Sequence, residues 1–208
     1  MSKTAWAAGP ALLCIAVGLA AQDEAPLVPL FDGTLNGWSI ENTSVDNFTV
    51  SDGILRVAAP EGWLRSAEQF GDFFLRIEFR FLTENADSGI FVRAVADESF
   101  GRGWPNNSYQ LQLRNPLGQS PFPPVGGLFR HGSGDGSTQF DPYTADRAST
   151  GTGVWQRLEI EVVADTLTAW LNGAQLTYAT GIANPTGYIG IQGETGALEF
   201  RAMEIRAR

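Results

Sequence analysis

The chain alternates apolar and polar residues again and again, and almost nowhere repeats them at helical spacing. In Phe73-Phe74-Leu75-Arg76-Ile77-Glu78-Phe79-Arg80-Phe81 every odd position is apolar, while Arg76, Glu78 and Arg80 share the opposite face. That period of two is the signature of a strand with one buried side. The same alternation runs through Tyr109–Asn115, Leu158–Val162 and Tyr188–Gln192. Between such runs stand turn signals, Asp52-Gly53, Asn172-Gly173 and Asn184-Pro185, at the spacing that short antiparallel strands require. Asn172-Gly173, directly after Leu167–Leu171, predicts a tight hairpin. Near the C-terminus the apolar phase passes from Leu198 and Phe200 to Met203 and Ile205, a slip that predicts a β-bulge. Many short strands without an internal repeat predict an all-β fold, a two-sheet antiparallel sandwich of the jelly-roll kind.

Two stretches leave this pattern. From Pro116 to Gly153 the chain is rich in Gly, Pro, Ser, Thr and Asp, and only Val125–Phe129 reads as a strand within it. A loop of that length in a compact domain is commonly functional. It holds the only histidine of the chain, His131, with Phe122, Phe129, Phe140 and Tyr143 placed to anchor it. The start of the chain differs in another way. Lys3 precedes the apolar run Ala11–Leu19, then come small Ala20 and Ala21 and polar Gln22-Asp23-Glu24. This order predicts a signal peptide over 1–21 and a single β-sandwich domain over 22–208, exported to the periplasm or the extracellular space. A lipoprotein would need a small residue before its acceptor cysteine, and Leu13 precedes Cys14.

Composition narrows the chemistry. Fourteen basic residues face 23 acidic ones, a formal net charge of −9, which argues against a nucleic-acid partner or a polyanionic ligand. Lys3 and Cys14, the only lysine and the only cysteine, both fall in the leader, so the mature chain would have no disulfide, no thiol nucleophile and no Schiff-base lysine. One histidine cannot build a conventional structural zinc site, and loop carboxylates such as Asp135 or Asp141 suit calcium only generically. No metal and no cofactor is expected. A neutral ligand fits best, with no membrane contact after cleavage.

The opening Leu30-Phe31-Asp32-Gly33-Thr34-Leu35-Asn36-Gly37-Trp38 resembles that of the 3-keto-disaccharide hydrolase family, whose domain is of the concanavalin A-like lectin/glucanase type. Further blocks follow in the family's order: Asp52–Leu55, Phe70–Phe73, Asp87–Arg93, Tyr109–Gln112, Gly127–Phe129, Trp155–Arg157, Leu171–Gly173, Gly187–Gln192 and Glu199–Arg201. The resemblance spans about Leu30 to Arg206. It implies a jelly roll whose concave face holds a carbohydrate, either a small sugar or an oligosaccharide. The activity implied is hydrolysis of 3-keto-glycosides by C2 deprotonation, elimination and hydration; the alternative is a non-catalytic, lectin-like domain of the same fold. Family members usually carry a glutamate where Gln110 stands, often an aspartate where Asn115 stands, and more often a histidine before the glycine where this chain has Gly193-Glu194-Thr195-Gly196.

Such chemistry needs a base near C2 and donors for a developing enolate oxygen, but not the carboxylate pair of an ordinary glycosidase. Asp87, Glu98, His131 and Glu194 are the acid–base candidates, and Arg93 and Arg201 the clamps for an oxyanion or a hydroxyl. Gln110, Gln112 and Arg114 share one face of their strand, opposite Tyr109, Leu111 and Leu113, and with Gln192 and Arg201 they form the expected substrate-binding set. Trp104, between Gly103 and Pro105, is the expected stacking platform for a sugar ring, while Trp155 reads as core. Each has a plainer alternative: Asp87 as a turn residue, Arg93 on a wet sheet face, His131 as an exposed loop residue.

Overall fold

A computed structural model describes residues 24–96, 99–100, 103–115, 122–132 and 134–208. The proposed leader and Glu98 lie outside them. Among the described residues two antiparallel sheets face each other. The larger is ordered β12 (Thr138–Phe140), β15 (Ala174–Thr180), β14 (Thr166–Leu171), β13 (Gln156–Val163), β6 (Phe73–Phe81), β17 (Ala197–Ala207), β4 (Ile54–Ala58) and β3 (Phe48–Ser51), with β1 (Val28–Pro29) also paired to β17. The smaller runs β11 (Leu128–His131), β10 (Ser108–Arg114), β7 (Asp87–Ala94), β16 (Gly187–Gly193), β5 (Gly62–Phe70) and β2 (Trp38–Glu41). A two-stranded ribbon, β8 (Ser99–Phe100) with β9 (Trp104–Pro105), stands apart.

Alternation decides what each sheet buries. Leu75, Ile77, Phe79 and Phe81 of β6 and Leu158, Ile160 and Val162 of β13 pack against Ile90 and Val92 of β7, Leu111 and Leu113 of β10, and Ile189 and Ile191 of β16, all within 1 % of full burial. Each such side chain contributes roughly 1.5–3 kcal/mol by leaving water. The polar positions between them therefore point outward on both sheets. On the larger sheet they form a ladder of ion pairs, Arg76–Glu159 and Arg80–Glu199 among them.

The turn chemistry follows the sequence. Asn172 and Gly173 join β14 to β15 with φ of 50° and 85°, and Asp52 and Gly53 join β3 to β4 with φ of 53° and 73°, the left-handed pair a two-residue hairpin requires. The phase slip near the C-terminus is a bulge in β17 between Arg201 and Glu204, with Ala202 at φ 46°. The segment 116–153 is less irregular than its composition predicts. Besides β11 and β12 it carries a helix of about two turns, α1 (Pro142–Ala148), opened by Asp141, whose carboxylate accepts from the amides of Tyr143 and Thr144. Asp-Pro is an N-cap followed by the residue best suited to the first helical position, so the signal was there in the sequence. Tyr143 is exposed and Phe122 half or more so; of the four proposed anchors only Phe140 packs on the core.

Candidate functional site

The outward face of the smaller sheet carries the site. Register places the polar residues side by side: Arg114 opposite Asp87 and Gln112 opposite Gly89 across β10 and β7, and Ser108 opposite His131 across β10 and β11. One pocket is lined by Asp87, Trp104, Gln110, Gln112, Phe122, Phe129, His131, Gln192 and Glu194. Seven of the eleven expected site residues thus meet in one place, drawn from β7, β9, β10, β11 and β16 and the segment that follows β16.

A chain of hydrogen bonds crosses its floor. His131 Nε2 lies 2.7 Å from Gln110 Oε1. Gln110 Nε2 donates to Gln112 Oε1 at 2.7 Å and to Gln192 Oε1 at 2.9 Å. Gln112 Nε2 donates to Asp87 Oδ1 at 2.5 Å. The three glutamines are each at most 3 % exposed, so satisfied amides are what makes their burial tolerable. Room for this lattice comes from a glycine in the middle of β7: a Cβ on Gly89 would stand 2.5 Å from Gln110 Nε2 and 2.6 Å from its Cγ. Glycine inside a strand often marks such a close approach, and that was the legible trace of this feature.

Aromatic rings form the rest of the lining. His131 stacks on Phe129 with 6.3 Å between ring centroids and meets the edge of Phe91 at 5.9 Å, and Phe122 stands edge-on to Phe129. Trp104 is held by a bond from Nε1 to the Gly193 carbonyl, and beneath the face Trp63 packs edge-on against Phe91. This surrounding lowers the pKa of His131, because burial disfavours the imidazolium. Burial also raises the Asp87 carboxyl to about 6, against the smaller opposing pull of the Arg114 guanidinium and of a backbone bond at Ser88. Near neutral pH the site therefore presents a neutral imidazole and a carboxylate of unusual basicity.

Three arginines are placed differently from the expectation. Arg93 does not face the pocket. Tyr188 pairs with Ala94 and Gly190 with Phe91, so Val92 and Arg93 together oppose one residue of β16, and Arg93 takes φ 51°. The bulge breaks the alternation with Phe91 and turns the guanidinium inside, where it is 1 % exposed, donating to the Asn184 carbonyl and paired with Asp72 at 2.9 Å. Arg201 lies on the outward face of the other sheet, bonded to Glu78 and stacked 4.1 Å from the ring centroid of Trp155. Arg80 stacks on the same ring at 4.6 Å, so Trp155 is a half-buried platform for two cations rather than core. Arg114 stays beside the site without lining it: its guanidinium donates to the carbonyls of Phe122, Pro123 and Asn115 and so ties the aromatic rim to β10. Asn115 is fully buried and donates to the Thr83 carbonyl and the Thr152 hydroxyl. Among the described residues no group of three His, Cys, Asp or Glu side chains is placed to hold a metal.

Fold and pocket together define a two-sheet β-sandwich with an amide-floored, aromatic-walled cleft on the outward face of one sheet. The chain belongs to the 3-keto-alpha-glucoside-1,2-lyase-like domain family, whose model matches residues 26–206. Among solved structures it is similar to a protein of Parabacteroides distasonis ATCC 8503 assigned provisionally to the glycosyl hydrolases, at 19 % identity and a TM-score of 0.67, over 88 % of this chain and all of that one. It is also similar to a galectin-like protein of unknown function from Bacillus subtilis, at 12 % identity and a TM-score of 0.58, over 88 % of this chain and 97 % of that one. A third is the carbohydrate binding module CBM66 from Bacillus subtilis, at 11 % identity and a TM-score of 0.54, over 80 % and 93 %. These likenesses show the fold. No curated protein matches the sequence.

Proposed function

We propose that the protein is an exported enzyme that cleaves 3-keto-glycosides, and that His131 is the base that takes the C2 proton. The observation that carries this reading is the convergence of His131, Asp87 and Glu194 on one pocket floored by three carboxamides. A ketone at C3 acidifies the C2–H bond. Transfer of that proton to the imidazole leaves an enolate across C2 and C3. The enolate expels the C1 oxygen, which takes a proton as it leaves, and a C1–C2 double bond conjugated to the restored C3 carbonyl results. Water then adds at C1 and a proton returns to C2, giving the free 3-keto sugar. No oxocarbenium ion is needed, so an ordinary pair of catalytic carboxylates is not needed either.

The enolate oxygen requires donors, and with Arg93 turned inside that role falls to the amides. Gln192 lines the pocket with its carbonyl oxygen bonded to Gln110 and has an amino group to donate, and Gln112 has an N–H beyond the one it gives Asp87. Trp104 and Phe122 supply faces for the C–H side of a sugar ring. The same carboxamide floor suits hydroxyl binding without chemistry, so the competing reading is a lectin-like domain of this fold. Incubation with an aryl 3-keto-glucoside separates them. Release of the aglycone with a transient ultraviolet band of the 2-hydroxy enone is expected, while the unoxidised glucoside stays intact; binding without release or band would leave only the lectin-like reading. The rate should rise as pH passes upward through about 6, because Asp87 anchors the amide chain only when ionised, and Asp87→Asn should flatten that limb.

A further inference from the structure

We infer that Gln110 and Gln112 are positioning residues that fix His131 as its Nε2–H tautomer and so leave the basic lone pair on Nδ1. The argument needs only the donor and acceptor capacities of the groups. An ionised carboxylate accepts and cannot donate, so Gln112 must present its amino group to Asp87 Oδ1. A primary amide has an amino end and a carbonyl end; with the first committed, Gln112 Oε1 faces Gln110. Gln110 must then turn its own amino group toward Gln112, and the second hydrogen of that group goes to Gln192 Oε1. Its carbonyl is left for the imidazole at 2.7 Å, and only an N–H can satisfy it. The sense of the chain is thus set at Asp87 and read out at His131, three bonds away. Gly89 keeps the path open, since any larger residue would meet Gln110.

A glutamate at position 110 would break this logic. It would accept from His131 as well, yet offer nothing to the carbonyl oxygens of Gln112 and Gln192. The glutamine at 110 therefore belongs with the two other glutamines as one unit. Among the described residues, the charged groups that face this unit are Asp87 and, through its pull on that carboxyl, Arg114 from β10, with Glu194 following β16. Arg130, although next to His131, points to the other side of the sheet, stacked on Tyr109 and bonded to the carbonyls of Thr180 and Gly181. The consequence for catalysis rests on the reading of His131 as the base, but the tautomer itself does not.

Because the chain has a single histidine, its ring nitrogens can be read without assignment by 15N–1H correlation NMR on the uniformly labelled protein at about pH 8, above the titration of both groups. The expected spectrum has Nε2 protonated and Nδ1 carrying the lone pair. A double variant, Gln112→Met with Gln192→Met, removes both acceptors that orient Gln110 without touching His131, and should let the amide turn over. The Nδ1–H form, under about a tenth in the unmutated protein, should then become a comparable population. An Nδ1–H or mixed spectrum from the unmutated protein would overturn the inference by itself, whether or not the variant folds. So would a folded double variant that keeps Nε2–H alone. No substrate is present, so absence of enzymatic activity would overturn the proposed function and leave this result standing.

Discussion

Replacing His131 with alanine is expected to lower the turnover of a 3-keto-glucoside by roughly 10²- to 10⁴-fold, the usual contribution of a positioned general base. The ring suits the task because burial between Phe91 and Phe129 keeps it neutral and its Nε2 is committed to Gln110. Ground-state affinity should change far less, since the proton is transferred only on the way to the transition state. Initial rates and substrate binding measured on the same variant check both halves. A loss of that size at Asp87 or Glu194, with His131→Ala nearly unimpaired, would move the base to the carboxylate concerned.

The second large effect concerns stability. Leu111 is fully buried between the sheets, so Leu111→Ala should cost roughly 2–5 kcal/mol in urea unfolding, through lost transfer energy and the cavity left behind. Its neighbour Gln112 faces the pocket and bonds to Asp87 and Gln110, and Gln112→Ala should cost about 1–3 kcal/mol at most while weakening ligand binding. A reversed order of the two would mean that β10 presents its other face.

Why could one strand be read so far ahead of its structure? In β10, as in β6 and β13, a strict period of two meets a sheet with one dry face, and register then leaves no freedom: Leu111 and Leu113 go in, Gln110 and Gln112 go out. The same rule failed at Arg93. There the alternation with Phe91 is present in the sequence, but an extra residue in β7 against β16 rotates the side chain inward, and nothing in Phe91-Val92-Arg93 announces a bulge. Arg201 failed for a simpler reason. It alternates correctly with Phe200, yet sequence alone does not say which of two sheets a strand joins, and β17 belongs to the sheet on the far side from the pocket.

His131 shows a third case. Its segment looks like loose loop, which leaves an exposed histidine as the plainer alternative. The structure instead pairs β11 with β10 and stacks the ring on Phe129, with a turn at Val125-Gly126 just before this short strand. The amide lattice was half legible. Two glutamines on one face of β10 could be read from spacing, whereas the partnership with Gln192 depends on β16 lying next but one in the sheet, a long-range fact of topology.

Exchange of the C2 proton of a 3-keto-glucoside with deuterated solvent, followed by NMR, tests the central claim most directly. It reports proton abstraction at one carbon and does not require the glycosidic bond to break. The unmutated protein is expected to wash deuterium into C2 faster than buffer does, with elimination following, and His131→Ala is expected to lose that exchange. A protein that binds the 3-keto sugar yet promotes neither exchange at C2 nor release of the aglycone would contradict the account and leave a sugar-binding sandwich in its place.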